Sequence, residues 1–176
     1  AAKCSSCHRY DGHDGTGKPV SDPQTAPDLA GFGSRDWISG LLDPEKVDSA
    51  HYFGGTAFKE GDMVSFVKDS VAAFEDEQKQ QLEQLVKALS AEAHLPYQQE
   101  LDTADAEQIA AGRELLSGNE GELGCIDCHK FREAGDLGTA PTLTDYASER
   151  WLIGMIREPT HEKYYYDRND RMPSFG

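Results

Sequence analysis

The chain has 176 residues, and 38% of them are hydrophobic, less than the roughly 45–50% of an average globular protein. Acidic residues outnumber basic ones by 32 to 17, which gives a formal net charge of −15 at pH 7. Phosphate groups are bound by basic surfaces, so this charge argues against nucleic acid and anionic membranes as partners. It leaves cationic proteins as candidate partners. The small apolar share also predicts that a cofactor completes the core.

Apolar runs are short throughout the chain. The run from Trp151 to Ile156 is interrupted by Gly154 and is far shorter than the roughly 20 residues that span a bilayer. We therefore expect that no part of the 176-residue sequence inserts into a membrane. The first three residues lack the apolar region of a signal peptide.

All four cysteines fall in two copies of one motif, C-x-x-C-H. The copies are Cys4-Ser5-Ser6-Cys7-His8 and Cys125-Ile126-Asp127-Cys128-His129. This motif attaches c-type haem. Its two thiols lie one helical turn apart and can form thioether links to the two vinyl groups of one porphyrin. The histidine that follows is then held under the iron as the proximal ligand. We predict two covalently attached haem c groups, with His8 and His129 as iron ligands.

Three other interpretations of the cysteines stay open. Two C-x-x-C pairs can together hold one zinc ion. Each pair can be a thioredoxin-like redox site, although that needs a βαβ context and strand patterns are missing here. Each can also form a short-range disulfide. None of the three explains why a histidine directly follows both pairs. Haem attachment takes place outside the cytoplasm, so the motif predicts a periplasmic or otherwise extracytoplasmic protein.

Each half of the chain repeats the same segments in the same order. Thr-Ala-Pro-x-Leu occurs at 25–29 and 139–143, and a tryptophan follows each proline by ten residues, Trp37 after Pro27 and Trp151 after Pro141. Met-x-Ser-Phe then occurs at 63–66 and 172–175. This order predicts two homologous haem domains in tandem, at residues 1–95 and 96–176, joined by a linker at 94–102.

The apolar pattern predicts helices and no strands, and hence an all-α fold. Helices are expected after Ser34 and Ser148, which stand at N-cap positions, and they should stop at Pro44 and Pro159. Their apolar faces are expected to pack in the core and on the haem. Two more helices are predicted at about 74–91 and about 103–117, the second ended by Gly118.

With these motifs in order, both halves resemble class I cytochromes c, and the whole chain resembles a dihaem cytochrome c. The resemblance implies a small helical wrap around each haem. The segment at 169–175 and the tryptophan helices further resemble the dihaem modules associated with bacterial bc-type quinol–cytochrome c reductases. The cytochrome c4 type, a freestanding two-domain carrier, is the neighbouring alternative.

The resemblance also implies roles for particular residues. Pro27 and Pro141 match the proline whose carbonyl accepts a hydrogen bond from the proximal imidazole. Met172 and Met63 match the sixth iron ligand, although Val64 replaces the usual proline after Met63.

Some of these assignments have rivals. His51 and His161 are the alternatives to methionine ligation, because related cytochromes use two histidines. Met155 is expected in the core. Arg35 and Arg150 lie near the tryptophan helices, where they either pair with haem propionates or stand as ordinary surface residues.

Two departures from the family pattern concern the ends of the sequence. The first motif begins at Cys4, without the helix that precedes it in the family, and no C-terminal helix follows Phe175. We expect the sequence to be a piece of a longer chain, whose N-terminal part leads to a membrane anchor or a cytochrome b-like portion.

A six-coordinate iron leaves no open position for a substrate. The sequence therefore predicts an electron-transfer protein and not an enzyme, passing single electrons between redox partner proteins in a respiratory chain or bc-type complex. The alternative is a peroxidase-like dihaem enzyme or a sensor, in which one iron position is open or displaceable.

Overall fold

The computed structural model describes residues 3–20, 23–118 and 123–176. Within those ranges every regular element is a helix, and β-structure is limited to isolated bridges, which confirms the all-α prediction. The α-helices are α1 (Arg35–Leu41), α2 (Asp62–Asp69), α3 (Asp76–Glu92), α4 (Gln99–Ala104), α5 (Ala106–Ser117) and α6 (Glu149–Arg157). The 3-10 turns are Val71–Ala73, Pro96–Gln98, Cys125–Asp127 and Tyr166–Arg168. Residues 1 and 2, which enter the signal-peptide interpretation, lie outside the described residues.

The chain divides into two compact units. Unit 1 comprises the chain up to Phe32 together with Asp36–Phe74, and unit 2 comprises Gly33–Arg35 and the chain from Glu75 onward. The boundary expected at 95/96 concerns haem-binding domains, and it stays a prediction. No described helix is both long enough and apolar enough to cross a membrane.

Unit 1 is built around the predicted tryptophan helix α1. Trp37 and Ile38 are buried on one face of this helix, as their spacing predicts. Val47 and Val67 are fully buried in the same unit, and Val67 comes from α2. The helix stops before Pro44, as expected from the missing proline N–H.

Unit 2 contains the corresponding helix α6 and the packed pair α3 and α5. Ser148 caps α6 by accepting a hydrogen bond from the Trp151 N–H at 3.2 Å, which confirms the predicted cap. Gly112 of α5 lies directly on the backbone of Gln84 in α3, where a β-carbon would not fit. Gly118 ends α5 as predicted, and its N–H donates to the Glu114 carbonyl.

The predicted linker at 94–102 is mostly helical. Pro96 begins a 3-10 turn, and α4 starts directly after it at Gln99. Gln98 is 3% exposed and donates from Nε2 to the Ser90 hydroxyl at 2.8 Å. The segment is therefore folded onto α3 within unit 2, which its polar composition did not reveal.

Candidate cofactor sites

Each C-x-x-C-H motif forms a single tight turn. The His8 N–H donates to the Cys4 carbonyl at 2.9 Å, and the His129 N–H donates to the Cys125 carbonyl at 3.0 Å. In unit 2 the turn follows Gly124, whose φ of 70° is left-handed and suits glycine. A turn of this kind places the two cysteines of a motif one above the other, and it brings the histidine beside them.

Both motif histidines are bound to the proline that the sequence paired with them. Nδ1 of His8 lies 2.8 Å from the Pro27 carbonyl oxygen, and Nδ1 of His129 lies 2.6 Å from the Pro141 carbonyl oxygen. A carbonyl only accepts, so Nδ1 carries the proton and donates. When the ring is neutral, Nε2 is the unprotonated nitrogen, and its lone pair can bind a metal.

Burial sets the protonation states in the second motif. It lowers the pKa of His129, against the opposing effect of the Pro141 carbonyl, so the ring is neutral at pH 7. Burial also raises the pKa of the Cys125 thiol to about 11. A neutral imidazole is the form that ligates iron.

The proline loops are tied to the motifs and to the tryptophan helices by matching bonds. The Leu29 N–H donates to the Arg9 carbonyl at 2.9 Å in unit 1, and the Leu143 N–H donates to the Lys130 carbonyl at 2.8 Å in unit 2. Both of these carbonyls belong to the residue directly after the motif histidine. The loop whose carbonyl accepts the hydrogen bond of the imidazole is therefore fixed to the segment that carries the imidazole.

The indole N–H groups add a third matching bond. Trp37 Nε1 donates to the Asp28 carbonyl at 3.3 Å, and Trp151 Nε1 donates to the Thr142 carbonyl at 3.0 Å. Each acceptor directly follows the proline that binds the histidine. The tryptophans predicted as cofactor-site residues thus hold the proline loops in place.

A tyrosine and a glycine pack with the tryptophan in each unit, and the sequence analysis predicted neither. The rings of Trp37 and Tyr52 are 5.4 Å apart, and those of Trp151 and Tyr164 are 5.3 Å apart. Each tyrosine hydroxyl occupies the place that a β-carbon would take on the glycine one turn after the tryptophan, Gly40 or Gly154. The signal was available, since both helices carry glycine three residues after tryptophan.

The methionines differ in their local structure. Met172 lies in an irregular segment, and its carbonyl accepts a hydrogen bond from Asn169 Nδ2 at 3.0 Å. Met63 was expected in an equivalent loop, but it is the second residue of α2. Both side chains are partly buried, and their role as iron ligands stays a prediction. Met155 is 6% exposed, in keeping with its predicted core position.

The two rival histidines take part in local contacts. The His51 carbonyl accepts from the Asp28 N–H at 2.9 Å, and its ring lies 4.8 Å from that of Tyr52. His161 Nδ1 accepts from the Lys163 N–H at 3.2 Å. His161 is therefore in the tautomer with its proton on Nε2.

The two arginines predicted near the haem differ in their surroundings. Arg35 pairs with Asp102 at 2.7 Å and also with Asp105. Its guanidinium is thus already bound by carboxylates within unit 2. Arg150 is exposed at the start of α6, and its charge acts on the Tyr164 hydroxyl.

The residues present fit two covalently attached haem groups. The four cysteines are free thiols, and each motif imidazole uses Nδ1 for the proline carbonyl, which leaves Nε2 for a metal. Among the described residues, no group of three or more His, Cys, Asp or Glu side chains is placed to hold a metal ion by itself.

Comparisons with protein-family models, curated proteins and solved structures gave no match.

Proposed function

We propose that the protein is a dihaem c-type cytochrome that carries single electrons between redox partners. The observation that supports this most directly is the repeated bond from the motif histidine to a proline carbonyl, at 2.8 and 2.6 Å. This bond orients each ring, fixes its tautomer and raises the basicity of the ligating nitrogen. Its occurrence after both C-x-x-C pairs favours an iron ligand over a chance neighbour.

The chain's own residues then have distinct tasks. Cys4, Cys7, Cys125 and Cys128 anchor the two porphyrins through thioether bonds. When bound, each haem supplies a one-electron change at its iron. Met63 and Met172 offer thioether sulfurs as sixth ligands, and methionine ligation raises the reduction potential relative to two histidines.

The partners are inferred from the charge. A net charge of −15 favours a cationic docking face on the redox partner. Transfer to a cationic partner should slow as ionic strength rises, because salt screens exposed charges. A quinol–cytochrome c reductase of the bc type, outside the cytoplasm, is the partner complex that the sequence resemblance favours. Stopped-flow transfer rates measured over a range of salt concentrations test the electrostatic part of this proposal.

The first experiment is a haem count with visible spectra, on protein made in a host that attaches c-type haem. We expect two covalent haems per chain and a methionine–iron charge-transfer band of full strength in the oxidised state. Replacing Cys4 and Cys7 by alanine should remove one haem, and replacing Cys125 and Cys128 should remove the other. The two variants serve as controls for each other.

Other outcomes of that experiment would contradict parts of the proposal. A charge-transfer band at half strength or absent would favour His51 or His161 as a ligand. Carbon monoxide binding to the reduced protein would indicate an open iron position and hence the peroxidase-like enzyme or the sensor. A colourless protein would overturn the proposal altogether.

A further inference from the structure

Glu92, the last residue of α3, carries a buried carboxylate in unit 2. Its side chain is 6% exposed, and its Oε1 accepts from Arg113 Nε at 3.0 Å and from Arg113 Nη2 at 2.9 Å. Arg132 Nη2 lies 3.5 Å from the same oxygen. A carboxylate this buried is stable only when paired, and two guanidinium groups supply the pairing here.

The same carboxylate also binds the backbone of the proline loop. Its Oε2 accepts from the Asp145 N–H at 3.3 Å. The Arg132 N–H in turn donates to the Thr144 hydroxyl at 2.6 Å. Glu92 therefore contacts two short segments at once, one just after His129 and the other just after Pro141.

Both of these segments have strained backbone at the point of contact. Arg132 has a φ of 52° and Asp145 a φ of 55°, in the left-handed region that residues with a β-carbon rarely adopt. Such conformations persist when surrounding contacts over-determine them. The Glu92 carboxylate supplies contacts of that kind, to the Asp145 amide and to the Arg132 side chain.

The two segments together carry the bond between His129 and Pro141. They are joined to each other by the Leu143 N–H, which donates to the Lys130 carbonyl at 2.8 Å, and by the Thr142 hydroxyl, which donates to the same carbonyl at 3.1 Å. Any shift of either segment would therefore change the distance or angle between the imidazole and its acceptor.

We propose that Glu92 is a positioning residue for the second cofactor site, acting through Arg132 and the Asp145 amide on the segments that orient His129 and Pro141. The proposal rests on the proposed function. It means that a residue on the first-domain side of the predicted 95/96 boundary supports the second haem. Glu92 and all of these contacts lie within unit 2.

The test replaces Glu92 by glutamine, which keeps the side-chain shape and removes the charge. Glu83→Gln is the matched control, since Glu83 is exposed on the same helix and its replacement changes the net charge equally. Two quantities are measured in the full chain with its haems. They are the midpoint potential of each haem and the hydrogen-exchange rates of the Arg132 and Asp145 amides.

We expect Glu92→Gln to speed exchange at both amides. We also expect it to raise the midpoint of the haem on His129 more than that of the haem on His8, because a nearby negative charge is lost. Glu83→Gln should change neither the exchange rates nor the difference between the midpoints. Unchanged exchange at Arg132 and Asp145, or equal shifts at both haems, would overturn the proposal.

Two further cases need separate measurements: a wild-type protein without haem, and a Glu92→Gln variant that does not fold. A wild-type protein without covalent haem would refute the proposed function, and amide exchange alone would then decide whether Glu92 holds the two segments. If Glu92→Gln fails to fold, Arg132→Gln replaces it, because the exposed Arg132 can be lost while the Glu92–Arg113 pair stays. That variant should speed exchange at Asp145 and lower the midpoint of the second haem selectively. Absence of either effect would overturn the proposal.

Discussion

Units 1 and 2 hold their motif histidines in the same way but support that arrangement with different groups. In unit 1 the Asp28 carboxylate accepts from the amides of Asp11 and Gly12, each at 2.9 Å, and of Ala30 at 2.8 Å. In unit 2 the Thr144 hydroxyl takes the amide equivalent to that of Asp11, which is the Arg132 N–H. The Thr142 hydroxyl accepts from the Thr144 N–H at 3.3 Å, as Asp28 does from Ala30, so two hydroxyls in unit 2 replace one ionised side chain in unit 1.

The two units also differ at a left-handed backbone position and in the aromatic residue that follows it. Unit 1 has Gly31 at a left-handed position with a φ of 72°, while the corresponding Asp145 of unit 2 has a φ of 55°. Unit 1 also packs Phe32 against its tryptophan where unit 2 packs Tyr146. Burial raises the pKa of the Tyr146 hydroxyl, which stays protonated. The two units therefore share the hydrogen bond from the motif histidine to the proline carbonyl, while the groups around that bond differ.

Removing either tryptophan should have the largest effect on stability. Trp37→Ala and Trp151→Ala each leave a large cavity and an unpaired backbone carbonyl, and we expect each to cost about 3–5 kcal/mol of unfolding free energy. Phenylalanine at the same positions is the control, because it keeps most of the volume and removes the N–H donor. Denaturant unfolding measures both. If the loss of unfolding free energy differed widely between Trp37→Ala and Trp151→Ala, the two tryptophans would not have the same role in their units.

Asp28→Asn should destabilise unit 1 by about 1.5–3 kcal/mol at neutral pH, the usual size for a hydrogen-bonded charge. Burial by itself would raise the pKa of Asp28, but the amide bonds from Ala30, Gly12 and Asp11 outweigh it and lower the pKa below 3.8. The folded unit therefore binds this proton less readily than the unfolded chain does. The stability that Asp28 contributes is present above pH 3.8 and is lost as the pH falls through the folded-state pKa.

Amide exchange resolved by unit, at pH 3 and pH 6, checks the role of Asp28. We expect the wild-type unit 1 to lose protection in acid through Asp28, and the Asp28→Asn variant to show a smaller loss. Thr144→Val in unit 2 is the contrasting change, since a hydroxyl contributes no titration. An acid sensitivity of unit 1 that is the same in Asp28→Asn would assign it to other groups.

Gly154→Ala should cost about 1–3 kcal/mol, because the added β-carbon would fall on the Tyr164 hydroxyl in a packed site. Gly40→Ala should do the same through Tyr52. Combining Gly154→Ala with Tyr164→Phe removes the clashing oxygen and should recover part of the loss. Thermal unfolding compares the single and double variants. No recovery would show that the tyrosine is not what the glycine accommodates.

The smallest effect is expected at the left-handed position of unit 1. Gly31→Asp copies the residue of unit 2 and should cost about 1 kcal/mol, the usual penalty of a β-carbon in that conformation. Gly31→Val should cost more, since branched side chains tolerate a positive φ least. Denaturant midpoints rank the two. If Gly31→Asp were as stable as the wild type, the backbone of unit 1 would be able to relax at this position.

Local signals explain what the sequence predicted well. The cap at Ser148, the prolines that stop α1 and α6, and the apolar faces of α3 and α5 depend on residues within a few positions. The pairing of His129 with Pro141 came from a repeated motif and the family resemblance.

Long-range contacts explain what the sequence missed. Glu92 meets partners at positions 113, 132 and 145, which no local pattern connects to it. In the predicted linker, Gln98 donates to the buried Ser90 hydroxyl, a contact that no apolar stripe in the sequence indicates. Met63 was placed in a loop by analogy with Met172, but the first turn of α2 includes it.

The close packing of α3 on α5 also matters for separating the two halves experimentally. Ile109, Gly112 and Leu116 form the buried face of α5, and Gly112 lies on the backbone of α3. A fragment starting at residue 96 would expose that apolar face to water and should aggregate. A cut between Phe74 and Glu75 keeps the helix pair together and separates the compact units except for Gly33–Arg35, which belongs to unit 2. Truncation there offers the better chance of a fragment that stays in solution.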